Sequence, residues 1–220
     1  MQGKYALPHS RGKRGVTVLL TVLAVLLAAG CAVSFLLFSD PNADRFGGVK
    51  PDGTVARKVL AASLTGGESS FSPEEVNGFL AGALQDYNAG KPAEKQLRAL
   101  AVADASGNSA DLYLRVPFRG KLFGVLLHGT PGFDDAGGRL RFRVDSARVG
   151  RLPVPVGPLL AQARGHLPNG FSAEGDTVCC SAPGAAASYG GISGSVRVTG
   201  LQIRDGRFVI GSAAGLKIAS

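Results

Sequence analysis

The residues able to do chemistry are few and stand apart. The 220-residue chain holds three histidines, His9, His128 and His166, and three cysteines, Cys31, Cys179 and Cys180. No HExxH and no spaced Cys/His quartet occurs, and no GxxxxGK phosphate loop. Gly191-Ile192-Ser193-Gly194-Ser195 looks like a serine motif, but its second glycine is misplaced for a nucleophile elbow. Asp134-Asp135 is an acidic pair in a turn, where carboxylates are normally solvated. The spacing from His166 to Cys179 and Cys180 fits no common metal site, and a histidine at a helix end is favourable beside the helix dipole. Adjacent cysteines bridge only in an uncommon strained geometry, and three cysteines make no even, spaced framework. Cys179 and Cys180 therefore read as two small residues in a loop. The expectation is a protein without a catalytic set, metal or cofactor.

The elements that position these residues begin with an apolar block. Val16 to Phe38 is 23 residues without a charge. As a helix it reaches about 34 Å, enough to cross a hydrocarbon core of ~30 Å. Lys4, Arg11, Lys13 and Arg14 precede it with no acid, while Asp40, Asp44 and Arg45 follow. The positive-inside rule then puts residues 1–15 in the cytoplasm and the chain from about Ser39 outside. Leu27-Ala28-Ala29-Gly30-Cys31 resembles a lipoprotein signal. However, Leu27 is one place too far from Cys31 and apolar sequence runs on to Phe38, which favours an uncleaved anchor in the cytoplasmic membrane. Of 24 basic residues four lie in the tail, so twenty face all sixteen acids beyond Phe38, a net +4. That excess is too mild for a nucleic-acid binder.

Residues 39–57, with Pro41, Gly47, Gly48, Pro51 and Gly53, read as a spacer, followed by one extracytoplasmic domain over 58–220. A short helix over about 54–63 is weakly signalled by Val55, Val59 and Leu60. Ser72, Pro73 and Glu75 predict a capped helix start, with Phe71 and Val76 as its staple. Val76, Phe79, Leu80 and Leu84 give that helix an apolar stripe. Asn77 beside the stripe calls for a polar partner on a strand or loop. From Leu97 the period becomes two. Leu112, Leu114, Val116 and Phe118 alternate with Asp111, Tyr113, Arg115 and Pro117, and Leu140, Phe142 and Val144 with Arg139, Arg141, Arg143 and Asp145. Each is a strand with one greasy and one wet face, around a more central strand at Leu122–Leu127. A second amphipathic helix carries Val156, Leu159, Leu160, Ala163 and Leu167 and stops at Pro168-Asn169-Gly170. Residues 168–193, rich in Gly and Ala, read as a loose loop. A hairpin closes the chain, turning at Arg204-Asp205-Gly206, with a bulge at Gly200 where the apolar parity changes. The class is α+β, an antiparallel sheet under two amphipathic helices. The arginines Arg115, Arg139, Arg141 and Arg143 on the wet face suit anionic headgroups.

The order of anchor, Phe71-Ser72-Pro73-Glu74-Glu75-Val76-Asn77, meander, and Ser146 to Pro155 (SARVGRLPVP) leading into a helix resembles the YpmS-type family of bacterial membrane-anchored extracytoplasmic proteins. More loosely, it is similar to tubular lipid-binding (TULIP-like) domains. The likeness covers about Phe71 to Pro168. It implies a curved sheet around a helix with an elongated groove for an acyl lipid or phospholipid, and no catalysis. The groove lining this implies is Val76, Phe79, Leu80, Leu112, Leu114, Val116, Phe142 and Leu160. The alternative is a scaffolding module with a dry core and a protein partner in the envelope.

Overall fold

The computed structural model describes residues 11–167, 170–181, 185–189 and 192–218. His9, Pro168, Asn169 and Gly191 lie outside the described residues, as do residues 1–10 of the basic tail. The apolar block forms helix α1, Arg11–Phe38. Its stretch Thr21–Phe38 has a mean hydropathy of 2.5 and none of it is buried by the rest of the protein. Length and composition suit a membrane span or a signal sequence.

Beyond α1 the fold is α+β with antiparallel sheets. Helix α2 (Thr54–Ser63) precedes strand β1 (Glu68–Phe71) and helix α3 (Pro73–Asn88). α3 starts as its sequence dictates. Ser72 Oγ accepts from the Glu75 N–H, Glu75 accepts from the Ser72 N–H, and Pro73 opens the first turn. Phe71 is fully buried, with Val76 packed against the same cluster. This closes the staple.

One large sheet is built from β2 (Ala99–Ser106), β3 (Ser109–Phe118), β4 (Lys121–Asp134) and β5 (Arg139–Val149), with β7 (Phe171–Glu174) and β8 (Thr177–Ser181) beyond. The order is β2-β3-β4-β5-β8-β7, while the short β6 (Leu152–Val154) shares the outer edge of β5 with β8. Helix α4 (Val156–Ala163) follows β6 and ends in a 3-10 turn, Arg164–His166. A second sheet has the order β1-β11-β10-β9, with β9 spanning Ala185–Tyr189, β10 Ile192–Arg204 and β11 Arg207–Ile218. The β10–β11 register slips between Val198 and Gly200, at the expected bulge.

Val55, Phe71, Val102, Ala110, Ile203 and Phe208 form a core between the sheets, under α2 and α3. Leu127, Val144, Ala147, Leu160 and Ala173 form a second one under α4. Leu112 and Phe142 touch both and make the core continuous.

Two expectations change. The segment 168–193 is not a structureless loop, because Phe171–Glu174 and Thr177–Ser181 form a hairpin that extends the large sheet. Cys179 is buried there and Cys180 half-buried, both as free thiols in β8. Cys behaves as a small hydrophobe, so it fits a strand that Gly and Ser had disguised. Burial, and then the neighbouring Cys179, push the Cys180 thiol above its ordinary value, which keeps it protonated and unreactive. Nor are residues 39–57 a free spacer. Phe46 is buried against the sheet, and α2 begins at Thr54.

Candidate functional site: the anchor end of the sheet

The end of the large sheet nearest α1 gathers the features that bear on function. Tyr113 sits on the β3 face expected to be wet, yet it is 1% exposed. Its cover is the segment after α1. Phe46 packs at 5.4 Å between ring centroids, and the Tyr113 hydroxyl donates to Asp40 Oδ2 at 2.6 Å. Ala99, Ala101, Ala103 and Leu126 complete this small outer core. Burial, and then the Asp40 carboxylate that accepts its proton, push the Tyr113 phenol well above its usual value. Gly124, opposite Arg115 in the register, leaves room for Asp40; a Cβ there would occupy the carboxylate's place. Alternation in β3 distinguishes its two faces but does not tell what covers either one.

The C-terminus of α1 is seated on the β5–β6 turn. The Arg151 N–H donates to Leu36 O at 2.8 Å, and the Gly150 N–H to Gly124 O at 2.7 Å. Gly150 has φ +61°, and a Cβ on it would strike the carbonyls of Leu36 and Leu37. Only glycine serves here, both for the left-handed backbone and for the close approach. Thus the Val149-Gly150-Arg151-Leu152 motif is the socket of α1. Phe38 contacts Phe123 at 5.3 Å between centroids, and Phe123 contacts Phe118 at 6.2 Å.

The eight groove candidates divide. Leu112, Leu114 and Val116 share the inner face of β3 and are half-buried. Their partners in the register are Leu127, Val125 and Phe123. Val76 and Leu80 pack against the inter-sheet core, Phe142 joins the two cores, and Leu160 is buried under α4. Phe79 does not join them; at 41% exposure it lies outside the row Asn77, Gly78 and Ala81 that α3 buries. A cavity of about 480 Å³ lies elsewhere, between the end of α3, residues 46–51 and the start of β2, with Phe46, Leu84, Gln85, Leu97, Arg98 and Leu100 in its walls. None of the eight lines it.

Asn77 is buried and has the strand partner its position demands. Its Nδ2 donates to Val102 O at 3.0 Å, and the Val102 N–H donates to its Oδ1 at 2.6 Å. One side-chain amide thus satisfies both backbone groups on the open edge of β2.

His128 is not alone. Its Nδ1 lies 2.6 Å from Asp111 Oδ1 across the β3–β4 register, with Ser146 opposite on β5. The row is exposed on a sheet face, with no donor pair or enclosure to shelter a reacting group. It reads as a cross-strand pair, and no cluster of three or more metal-ligating side chains occurs among the described residues. The arginine row is largely engaged. Arg115 Nη1 reaches Ala43 O, Arg139 bridges Asp134 and Glu174, Arg141 reaches Phe133 O, and Arg143 meets Asp145.

Fold and site together define a class: an α+β domain locked to the end of one apolar N-terminal helix. The chain matches no protein-family model, no curated protein and no solved structure.

Proposed function

We propose that this protein is a single-pass, membrane-anchored, non-catalytic module that handles an acyl lipid or phospholipid at the outer face of the cytoplasmic membrane. The observation that carries this reading is the course of the inner β3–β4 face. Leu112, Leu114 and Val116, with Val125 and Phe123 beside them, stay half-covered and run directly to Phe38, the last residue of the apolar helix. An apolar track that starts at a bilayer and leads under α4 suits an acyl chain, because lipid tails gain by leaving water for such a surface. Val76, Leu80, Phe142 and Leu160 form the closed end of that track. The resemblance to the YpmS-type and TULIP-like proteins points the same way.

A second reading, a scaffolding module with a dry core, draws on one specific observation: the cavity of about 480 Å³ lies away from these residues. Spin-labelled fatty acid separates the two. In the lipid-handling reading, Leu114→Arg abolishes its immobilisation by the full-length protein while the circular dichroism of the fold is kept. Lack of immobilisation by the unaltered protein favours the scaffold.

A further inference from the structure

We infer that the β3–β4 hairpin tip is a second membrane contact, which seats in the anionic headgroup layer beside the exit point of α1. This rests on reading α1 as a membrane anchor.

Residues 121–123 of β4 run on beyond the last β4–β5 pair, Val125 with Val149, and beyond the Gly150–Gly124 bond, so the hairpin projects past its neighbour. The projection stands against the end of α1. Phe38 meets Phe123, and Lys121 Nζ lies 4.3 Å from the centroid of the Phe38 ring. Phe38 ends the uncharged run, so residues packed on its ring share the depth of the hydrocarbon–headgroup boundary.

The composition of the tip suits that depth. Phe118 is 54% and Leu122 40% exposed, an apolar pair at the very end of the sheet. Arg119 and Lys121 lie between them, and neither has an acidic partner among the described residues; their cations lie over the rings of Phe118 and Phe38 instead. No acid occurs between Asp111 and Asp134. The Asp40 carboxylate, which stands against Gly124, is engaged by the Tyr113 hydroxyl. Cations without acidic partners, set between apolar side chains, are the chemistry of an interface-seated segment over anionic lipid.

The turn adds an independent sign. Arg119 has φ +49° and Gly120 +75°, a two-residue turn with both centres left-handed. Asn, Asp or Gly normally fills the first of these. The matching turn of the second sheet does use Asp205 and Gly206. An arginine in a conformation it disfavours, two residues from the Lys121 that lies over the Phe38 ring, signals a role for its charge.

The chain contains no tryptophan, so each single Trp variant is its own probe. Full-length Phe118→Trp, Phe171→Trp and Leu27→Trp are reconstituted in vesicles of phosphatidylcholine and phosphatidylglycerol brominated near the headgroup end of the chains, or near the chain terminus. Phe171, exposed on β7 at the other end of the sheet, is the control. The expected result is blue-shifted emission from Phe118→Trp that is quenched by shallow bromines, with Phe171→Trp unquenched. Adding Arg119→Glu and Lys121→Glu is expected to lose that quenching. Leu27→Trp quenched by deep bromines, with Phe118→Trp behaving like Phe171→Trp, overturns the inference and leaves the anchor intact. Leu27→Trp unquenched at any depth overturns the anchor reading and the inference with it. Quenching that survives the double charge reversal overturns the headgroup part.

Discussion

Tyr113 and Asn77 show how single polar groups hold this fold. The Tyr113 hydroxyl is bonded to a carboxylate in a nearly closed site, where a charge-assisted bond contributes ~1.5–3 kcal/mol. Tyr113→Phe is expected to cost about 2 kcal/mol in denaturant unfolding. Because the phenol is raised in the fold above its ordinary 10.0, its contribution is complete below about pH 10 and is lost as pH climbs beyond that. Unfolding midpoints of the unaltered protein should therefore drop more steeply above that pH than those of Tyr113→Phe. Equal slopes would show that Tyr113 titrates normally. Asn77→Ala leaves the Val102 N–H and C=O unpaired in a buried setting, and a loss of roughly 2–4 kcal/mol is expected from two such groups. The need of Asn77 for a strand partner could be read from its place beside an apolar stripe. The burial of Tyr113 could not, because its cover comes from a Pro/Gly-rich segment whose single large apolar residue in contact, Phe46, gives no periodic signal.

At the scale of elements, the capped α3, the alternating strands and the bulge near Gly200 were legible because each leaves a local mark: a cap box, a period of two, a parity change. β7 and β8 were hidden because their apolar residues are mostly small. Ala173 and Cys179 fill the positions that Val or Ile would normally announce. The socket of α1 was half legible. Gly150 lies within the Ser146 to Pro155 run, whose sequence marks it only as the lead into a helix. Gly150→Ala is expected to unseat α1 while leaving the two cores in place. The measurement is cleavage by chymotrypsin after Phe38, which should become fast, with little change in the unfolding midpoint. An unchanged cleavage rate would mean that the socket does not hold the helix. Phe46→Ala should act differently, by destabilising the domain itself by about 3 kcal/mol through the cavity it leaves.

For the whole molecule, the consequence is one continuous path from anchor to sheet. α1 ends on the β5–β6 turn, the next residues cross the outer face of β2–β4 as far as Phe46, and the inner face of β3–β4 leads back to Phe38. A domain so fastened holds a fixed pose on α1 instead of swinging on a tether. A fragment beginning at residue 54 lacks Asp40 and Phe46 and is expected to unfold at lower denaturant than one beginning at residue 39. The α+β class and the N-terminal apolar helix could be anticipated from the alternating strands, the capped helix and the charge-free block. The pose could not, since it depends on contacts between residues more than seventy positions apart, as in Asp40 with Tyr113. The most direct test of lipid handling is native mass spectrometry of the full-length protein extracted gently from its own membrane, beside the Leu114→Arg variant. The account expects an acyl lipid retained on the unaltered protein and lost from Leu114→Arg at equal folding. A protein free of lipid, or one whose lipid persists unchanged in Leu114→Arg, would contradict it.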